Sequence, residues 1–446
     1  MMNTPICDFV SAYQKQNALR LHMPGHKGIT QIGPEAFDIT EIDGADVLYS
    51  AQGIIRESEE NASRLFGTGR TLYSAEGSSL CIRAMLYLAG LYARQTGRKP
   101  LIAAARNAHK VFMTAAALMD VDICWLYPKE RGSVISCRLD LEETERILRE
   151  EKPVALYVTS PDYLGNCADL RALSKICREN DVLLMVDNAH GAYLKFLPAS
   201  RHPIDMGADL CCDSAHKTLP VLTGGAYLHI SAKAPELLRT HAENALSLFA
   251  STSPSYLILQ SLDQANRYLS DGYEDKLADA ALRLARARAE VQAYGYEMQG
   301  DEPLKWTIAP KTLGYRGEEL ARKLQEKNIV VEFADPDFVV MMFTPEMTEE
   351  QISRLVKELT SLPNRDANME KPPVLSRPVQ RMRARKALFS AQETIPVTTA
   401  FGRVLAAASV ICPPAVPVVV CGEEIDESAI KCFQYYGIEK VTVVKE

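Results

Sequence analysis

The stretch Val182-Leu-Leu-Met-Val-Asp187-Asn-Ala-His190-Gly191 decides how this chain is read. Its aliphatic and β-branched run is short enough for a strand buried on both faces, and it stops at an acid and a histidine. Outward from it, Ala208-Asp-Leu-Cys-Cys212 downstream and Val154-Ala-Leu-Tyr-Val-Thr159 upstream are runs of the same kind. Earlier still come Val121-Asp-Ile-Cys-Trp-Leu-Tyr127 and Pro100-Leu-Ile-Ala-Ala-Ala105. Helical periodicity fills Val111 to Met119, Asp140 to Glu151 and Asp169 to Asn180. Strands alternating with amphipathic helices predict an α/β fold built on a mostly parallel, doubly wound sheet, with ligands at the C-terminal ends of the strands.

The stretch Asp213-Ser-Ala-His-Lys217-Thr-Leu-Pro220 follows the 208–212 run and precedes Gly224-Gly225 and the strand-like Ala226-Tyr-Leu-His-Ile230, which puts Lys217 on a connection between strands. Alone, such a lysine is usually just a solvated side chain. Flanked by Ser214, His216 and Thr218, and paired with the strand end at Asp187, it fits a phosphate-bearing aldehyde. Pyridoxal phosphate needs a lysine for the Schiff base and a carboxylate that keeps its ring nitrogen protonated. Gly77-Ser78-Ser79 opens the helical run from Leu80 to Tyr92. A glycine and two hydroxyls at a helix start suit either an anion or plain capping. Asn107-Ala-His109-Lys110 leaves the 100–105 strand, and its histidine can be a packed structural residue or a site residue.

Taken in order, Leu21-His-Met-Pro-Gly-His-Lys-Gly28, Arg106-Asn-Ala-His-Lys110, Val158-Thr-Ser-Pro161, Asp187-Asn-Ala-His-Gly191, Ser214-Ala-His-Lys-Thr-Leu-Pro220, Gly402-Arg-Val404 and Pro413-Pro414 resemble the ornithine/lysine/arginine decarboxylase family. The resemblance runs from about residue 5 to the C-terminus and is to the short form, without the response-regulator-like N-terminal wing of the long forms. It implies an aspartate-aminotransferase type of fold and pyridoxal 5'-phosphate as cofactor. It also implies decarboxylation of arginine, lysine or ornithine, toward polyamine formation, in a cytoplasmic homodimer or higher oligomer. On this reading Lys217 carries the cofactor, Asp187 holds its ring nitrogen and His109 stacks on its ring. Gly77, Ser78, Ser79, Ser214 and His216 hold phosphate, and His190 lies near the ring hydroxyl or is a packed strand-end histidine. His22, His26 and Lys27 become candidates for the mouth of the site.

Several positions depart from the family pattern. Asn188 stands where a glutamate is usual, Tyr193 where a second histidine is common, and Ala406-Ala407, Ala415 and Cys421 alter the C-terminal motifs. Glu423 matches the glutamate of the family's Pro-Gly-Glu segment and can face a basic side chain or lie at the surface. Other enzymes of this fold type, an aminotransferase or a carbon-sulfur lyase, and a silent relative, are the alternatives.

Composition fits this reading. The chain has 446 residues, 47% hydrophobic and 24% charged, with net charge −7. That excludes a disordered chain and argues against a general nucleic-acid binder. Eleven cysteines without CxxC spacing fit a reducing compartment, with Cys211 and Cys212 as strand packing. No leader-like segment or membrane-length apolar run is seen, and no metal site is expected. The organisation expected is an N-terminal arm at 1–50, a large cofactor-binding domain at 51–285 and a small α+β domain at 286–362, then a linker at 363–377 and a C-terminal domain at 378–446. Within these, helices are expected at Ile54 to Phe66, Ala232 to Ala242, Pro254 to Leu269 and Asp275 to Tyr294, followed by Gly317 to Lys327 and Thr348 to Leu362. Small-domain strands are expected at Leu304 to Ala309, Ile329 to Phe333 and Phe338 to Phe343.

Overall fold

The computed structural model describes residues 2–129, 133–407, 409–410 and 416–445. The motif residues Pro413, Pro414 and Ala415 lie outside them. Seven strands form the main sheet: β1 (Arg70–Ser74), β2 (Leu101–Ala105), β3 (Asp122–Leu126), β4 (Ala155–Thr159), β5 (Leu183–Asp187), β6 (Leu210–Asp213) and β7 (Ala226–Ile230). Their order is β1-β7-β6-β5-β4-β2-β3. The pairs β5·β6 and β2·β3 are parallel, whereas β7 runs antiparallel to both its neighbours, β1 and β6. A parallel return needs a crossover of about a dozen residues, usually a full helix. The β6–β7 connection, residues 214–225, holds loop around the single helical turn Ala215–Thr218 and no crossover helix, and the chain comes back beside β6 in the opposite sense. All five residues of β2, β5 and β7 are buried, as the continuous apolar runs require.

The chain divides into two compact units. The first comprises residues up to Lys99, Val154–Leu156 and Leu170–Lys276. In it the register pairs Asp187 with Cys212, Asp213 with Tyr227, and Ser74 with Ala226. The ends of β5, β6 and β1 therefore reach one edge of the sheet. The helix Gly77–Gln95 begins just beyond β1, so its N-terminus opens at that edge. A helix at Pro5–Lys15 was not foreseen in the arm. It has Pro5 in its first turn and buries Ile6 and Val10. Its Cys7 amide donates to Asp263 Oδ2 at 3.0 Å, and Ser58 Oγ donates to Asp263 Oδ1 at 2.6 Å.

The second unit comprises Pro100–Pro153, Tyr157–Asp169 and the chain from Leu277 onward. It contains a four-stranded antiparallel sheet of β8 (Glu297–Gln299), β9 (Lys305–Ala309), β10 (Phe333–Ala334) and β11 (Val339–Met342), in the order β10-β11-β9-β8. Helices Gly317–Gln325 and Glu349–Thr360 accompany it, the latter opened by a capping box between Thr348 and Gln351. Beyond the extended segment after Thr360 lie β12 (Gln392–Pro396), paired with β15 (Lys440–Val444), and β13 (Ser409–Val410), paired with β14 (Pro417–Val419). The helix Glu427–Tyr435 packs there over a core that includes Leu405, Val418, Phe433 and Val443.

Two expected elements differ. The run Ile329 to Phe333 is not a strand until Phe333. Asn328 takes the left-handed conformation, φ 56°, and the Ile329 amide closes the preceding helix on Leu324 O at 3.0 Å. That leaves Val330 84% exposed, and tertiary context overrides its β-branched propensity. The expected helix from Ala232 to Ala242 is two short pieces, Glu236–Thr240 and Ala242–Ser247, because Pro235 fixes the start and His241 interrupts the turn.

Glu59, on the buried face of helix Ile54–Phe66, accepts from the Tyr73 amide at 2.9 Å. Burial pushes its carboxyl up to about 8. A carboxyl whose folded value is raised takes up a proton on folding, so its contribution is full below the unfolded value near 4.5 and is lost as pH climbs toward 8. Between pH 5 and 8 the wild type should lose stability relative to Glu59→Gln by on the order of 1 kcal/mol per pH unit. Paired urea melts check this, and parallel pH profiles for the two proteins would contradict it.

Candidate active site

In the first unit, Asp187 closes β5 and is 3% exposed. Its Oδ1 accepts from the Ala189 amide at 3.2 Å and from Cys212 Sγ at 3.7 Å. Three residues on, His190 Nε2 stands 3.0 Å from Lys217 Nζ, and either nitrogen can carry the shared proton. Lys217 lies in the turn Ala215–Thr218, held by its amide to Ser214 O at 3.0 Å. The amine of the lysine and the carboxylate of the aspartate thus come to the same sheet edge.

Ser214 Oγ donates to Ser78 Oγ at 2.8 Å, joining the lysine loop to the start of helix Gly77–Gln95. Gly77 has φ 70°, and a Cβ there would meet nothing within 4 Å, so the space before the helix is open. The Gly77 amide donates to Gly224 O at 2.7 Å. Gly224, with φ 102°, leaves no room for a side chain, since a Cβ would stand 2.9 Å from Ala75 O. A helix N-terminus without a side-chain cap, carrying Ser78 and Ser79, and Thr218 Oγ1 buried without a partner, suit a phosphate. His216 Nδ1 donates to Gly225 O at 2.9 Å. Burial, and then the neighbouring Lys217, hold its ring neutral. A neutral His216 therefore presents Nε2 as an acceptor and gives a proton to a phosphate only when charged.

Behind this edge lies a network that the sequence did not announce. Asp213 is fully buried, and its Oδ2 accepts from His202 Nε2 at 3.0 Å and His229 Nε2 at 3.2 Å. Its Oδ1 accepts from Asn188 Nδ2 at 2.6 Å. Burial alone would push this carboxyl up, but the two histidines hold it far below the usual range. The signal available in the sequence was an acid at the end of an apolar strand, which must find partners when buried. His202, Cys211 and Asp213 also lie within metal-ligating range of one another. Yet His202 Nε2 is already committed to Asp213, and His202 Nδ1 is buried without a partner, so an ion here would lack the usual support behind its histidine. The hydrogen-bond reading accounts for the cluster.

His109 stands in the second unit, at the N-cap of helix Lys110–Met119, where its Nδ1 accepts from the Val111 amide at 3.2 Å. Glu423, for which the sequence left a surface position open, is 1% exposed and pairs with Arg106 Nη2 at 3.0 Å. In the arm, His22, His26 and Lys27 bond locally: Tyr13 OH to His22 Nε2 at 2.6 Å, His26 Nε2 to Asp38 at 3.2 Å, and Lys27 to His22 O at 2.6 Å.

Residues 4–301 match the family model for the Orn/Lys/Arg decarboxylase major domain, and residues 368–441 the one for its C-terminal domain. The chain belongs to the Orn/Lys/Arg decarboxylase family. It is 30% identical to an arginine decarboxylase of Halalkalibacterium halodurans, over 95% of this chain and 91% of that one. With an arginine decarboxylase of Bacillus subtilis it shares 29% identity, over 96% and 92%. The Francisella novicida lysine decarboxylase has the same fold, with a TM-score of 0.81 at 18% identity over 99% of this chain and 81% of that one. As a family member, the protein decarboxylates a basic amino acid. Among its described residues, no helix is long and apolar enough to cross a membrane.

Because Asn188 gives Asp213 a neutral donor, Asn188→Asp in this decarboxylase puts a second carboxylate in buried contact with the first. The variant should be destabilised by about 2–3 kcal/mol at pH 7. It should recover part of that loss below pH 5, where the new acid can be protonated. Denaturant melts at the two pH values measure both effects.

Proposed function

We propose that the protein decarboxylates arginine to agmatine, using pyridoxal 5'-phosphate. The observation that carries the cofactor assignment is the 3.0 Å approach of Lys217 and His190 at the sheet edge where Asp187 ends β5. The arginine assignment rests on four of the relatives matched along more than nine-tenths of their length, which are named arginine decarboxylases.

The cofactor supplies an electron sink for the pair left behind when the carboxylate departs. The protein's own groups do the rest. Lys217 would give the amine that holds the cofactor. His190, sharing a proton with it, keeps a proton carrier beside Nζ. Asp187, fixed by the Ala189 amide, holds a proton on the ring nitrogen. Ser78, Ser79 and Ser214, with the open helix end at Gly77, take the phosphate, and His216 adds a donor when protonated. His109 would face the ring, as the family resemblance implies. Two copies form the working unit, in the cytoplasm.

The purified protein should show a visible absorption band with added pyridoxal phosphate and release carbon dioxide from arginine in preference to lysine and ornithine. Lys217→Ala should lose the band and on the order of a thousandfold or more of the activity. Light scattering should give twice the chain mass. A band together with faster turnover of lysine or ornithine would overturn the substrate assignment, and a band that survives in Lys217→Ala would overturn the role of that residue.

A further inference from the structure

Arg106 leaves the end of β2 three residues before His109, and its guanidinium is held on three sides within the second unit. Nη1 donates to Pro417 O at 3.3 Å, and Nη2 donates to Val418 O at 3.1 Å and to Glu423 Oε2 at 3.0 Å. Its flat face lies 5.0 Å from the centre of the Trp125 ring. Glu423 is fixed in turn, because the Val420 amide donates to the same Oε2 at 2.8 Å. The charged side chains are 8% and 2% exposed. This glutamate therefore has a partner inside the protein. A buried arginine aimed at two carbonyls of one strand and one carboxylate has little freedom, since the planar fork fits only one arrangement.

The backbone around Arg106 is equally determined. Its amide donates to Leu126 O at 2.9 Å, the Ala108 amide to Ala105 O at 3.1 Å, and the Phe112 amide to His109 O at 2.9 Å. With His109 Nδ1 accepting from Val111, a neutral imidazole carries its proton on Nε2. Residues 106–112 thus form one tight exit turn, pinned at one end by β3 and at its arginine by the strand Pro417–Val419 and the turn after it.

We propose that Glu423 and Arg106 are positioning residues: the C-terminal strand and turn, acting through this buried pair, set the orientation of the loop that carries His109. The proposal rests on the reading that His109 lies against the cofactor ring. In that case the C-terminal domain acts on the cofactor's seat through this loop. Removing the charge of Glu423 leaves a buried arginine uncompensated while keeping the shape of the site, and the strain falls on the 106–112 turn.

The test is hydrogen exchange on the full-length chain without cofactor, wild type against Glu423→Gln, with Arg106→Lys as a second variant that keeps the charge and loses the fork. The amides of 106–112 should exchange faster by about tenfold in both variants, while those of 183–191 stay unchanged. Exchange that rises only within 416–425, or nowhere, would overturn the proposal, because the pair would then merely fasten the C-terminal strand. Cofactor titration supplies the other half. Glu423→Gln should bind pyridoxal phosphate several-fold more weakly and show a shifted visible band, with a lower kcat at nearly constant KM. A wild-type affinity and band in a protein whose 106–112 turn has loosened would also overturn it. If the wild type shows no band at all, the cofactor reading falls, and the exchange result alone decides whether the loop is set by the pair.

Discussion

A single carboxylate, Asp213, sealed at the end of β6, underlies the arrangement of the candidate site. It is held by His202 and His229 on one oxygen and by Asn188 on the other. A buried charge persists only when its partners replace water, and here they come from three different segments. Asn188 follows Asp187, and Ser214 follows Asp213, so the network joins the two strand ends of the candidate site. The register of Asp187 against Cys212 does the same through the backbone.

That constraint explains why the departure at Asn188 suits this chain. With Asp213 ionised between two histidines, a neutral donor at 188 completes the set. The cluster also separates two kinds of titratable group in the same unit. Asp213 is held charged by its neighbours, whereas Glu59 and Asp263 are pushed toward the neutral form by burial, the latter to about 6. Whether a buried acid keeps its charge depends on what faces it, and depth alone does not decide.

Most of the main sheet was legible in the sequence because its strands are continuous apolar runs bounded by helical periodicity. The alternation put Asp187 at a strand end and Lys217 on a connection between strands, and motif order named the family; β1, which leads into the 77–79 turn, and the helix Pro5–Lys15 were not foreseen. Three further features were not legible. The antiparallel sense of β7 goes with a Lys217 connection that carries one helical turn instead of a crossover helix, which no residue pattern announces. The His202–Asp213–His229 cluster is assembled from separate turns and strands. The burial of Glu423 depends on Arg106, more than 300 positions away, and an isolated glutamate carries no mark of such a partner. Where the sequence reading failed outright, at Ile329 to Phe333, a left-handed Asn328 and a helix-closing amide outweighed β propensity.

The reversal of β7 also bears on how the site assembles. Lys217 sits in the loop of a hairpin whose two strands, β6 and β7, are adjacent both in sequence and in the sheet. Its placement is a contact of low sequence separation, with little loop entropy to lose. The pairing of β6 with β5, which brings Asp187 alongside, closes a longer stretch of chain. In terms of contact order, the Lys217 amine belongs to a part of the topology that can form locally, and the Asp187 carboxylate is delivered to the same sheet edge by a more distant closure.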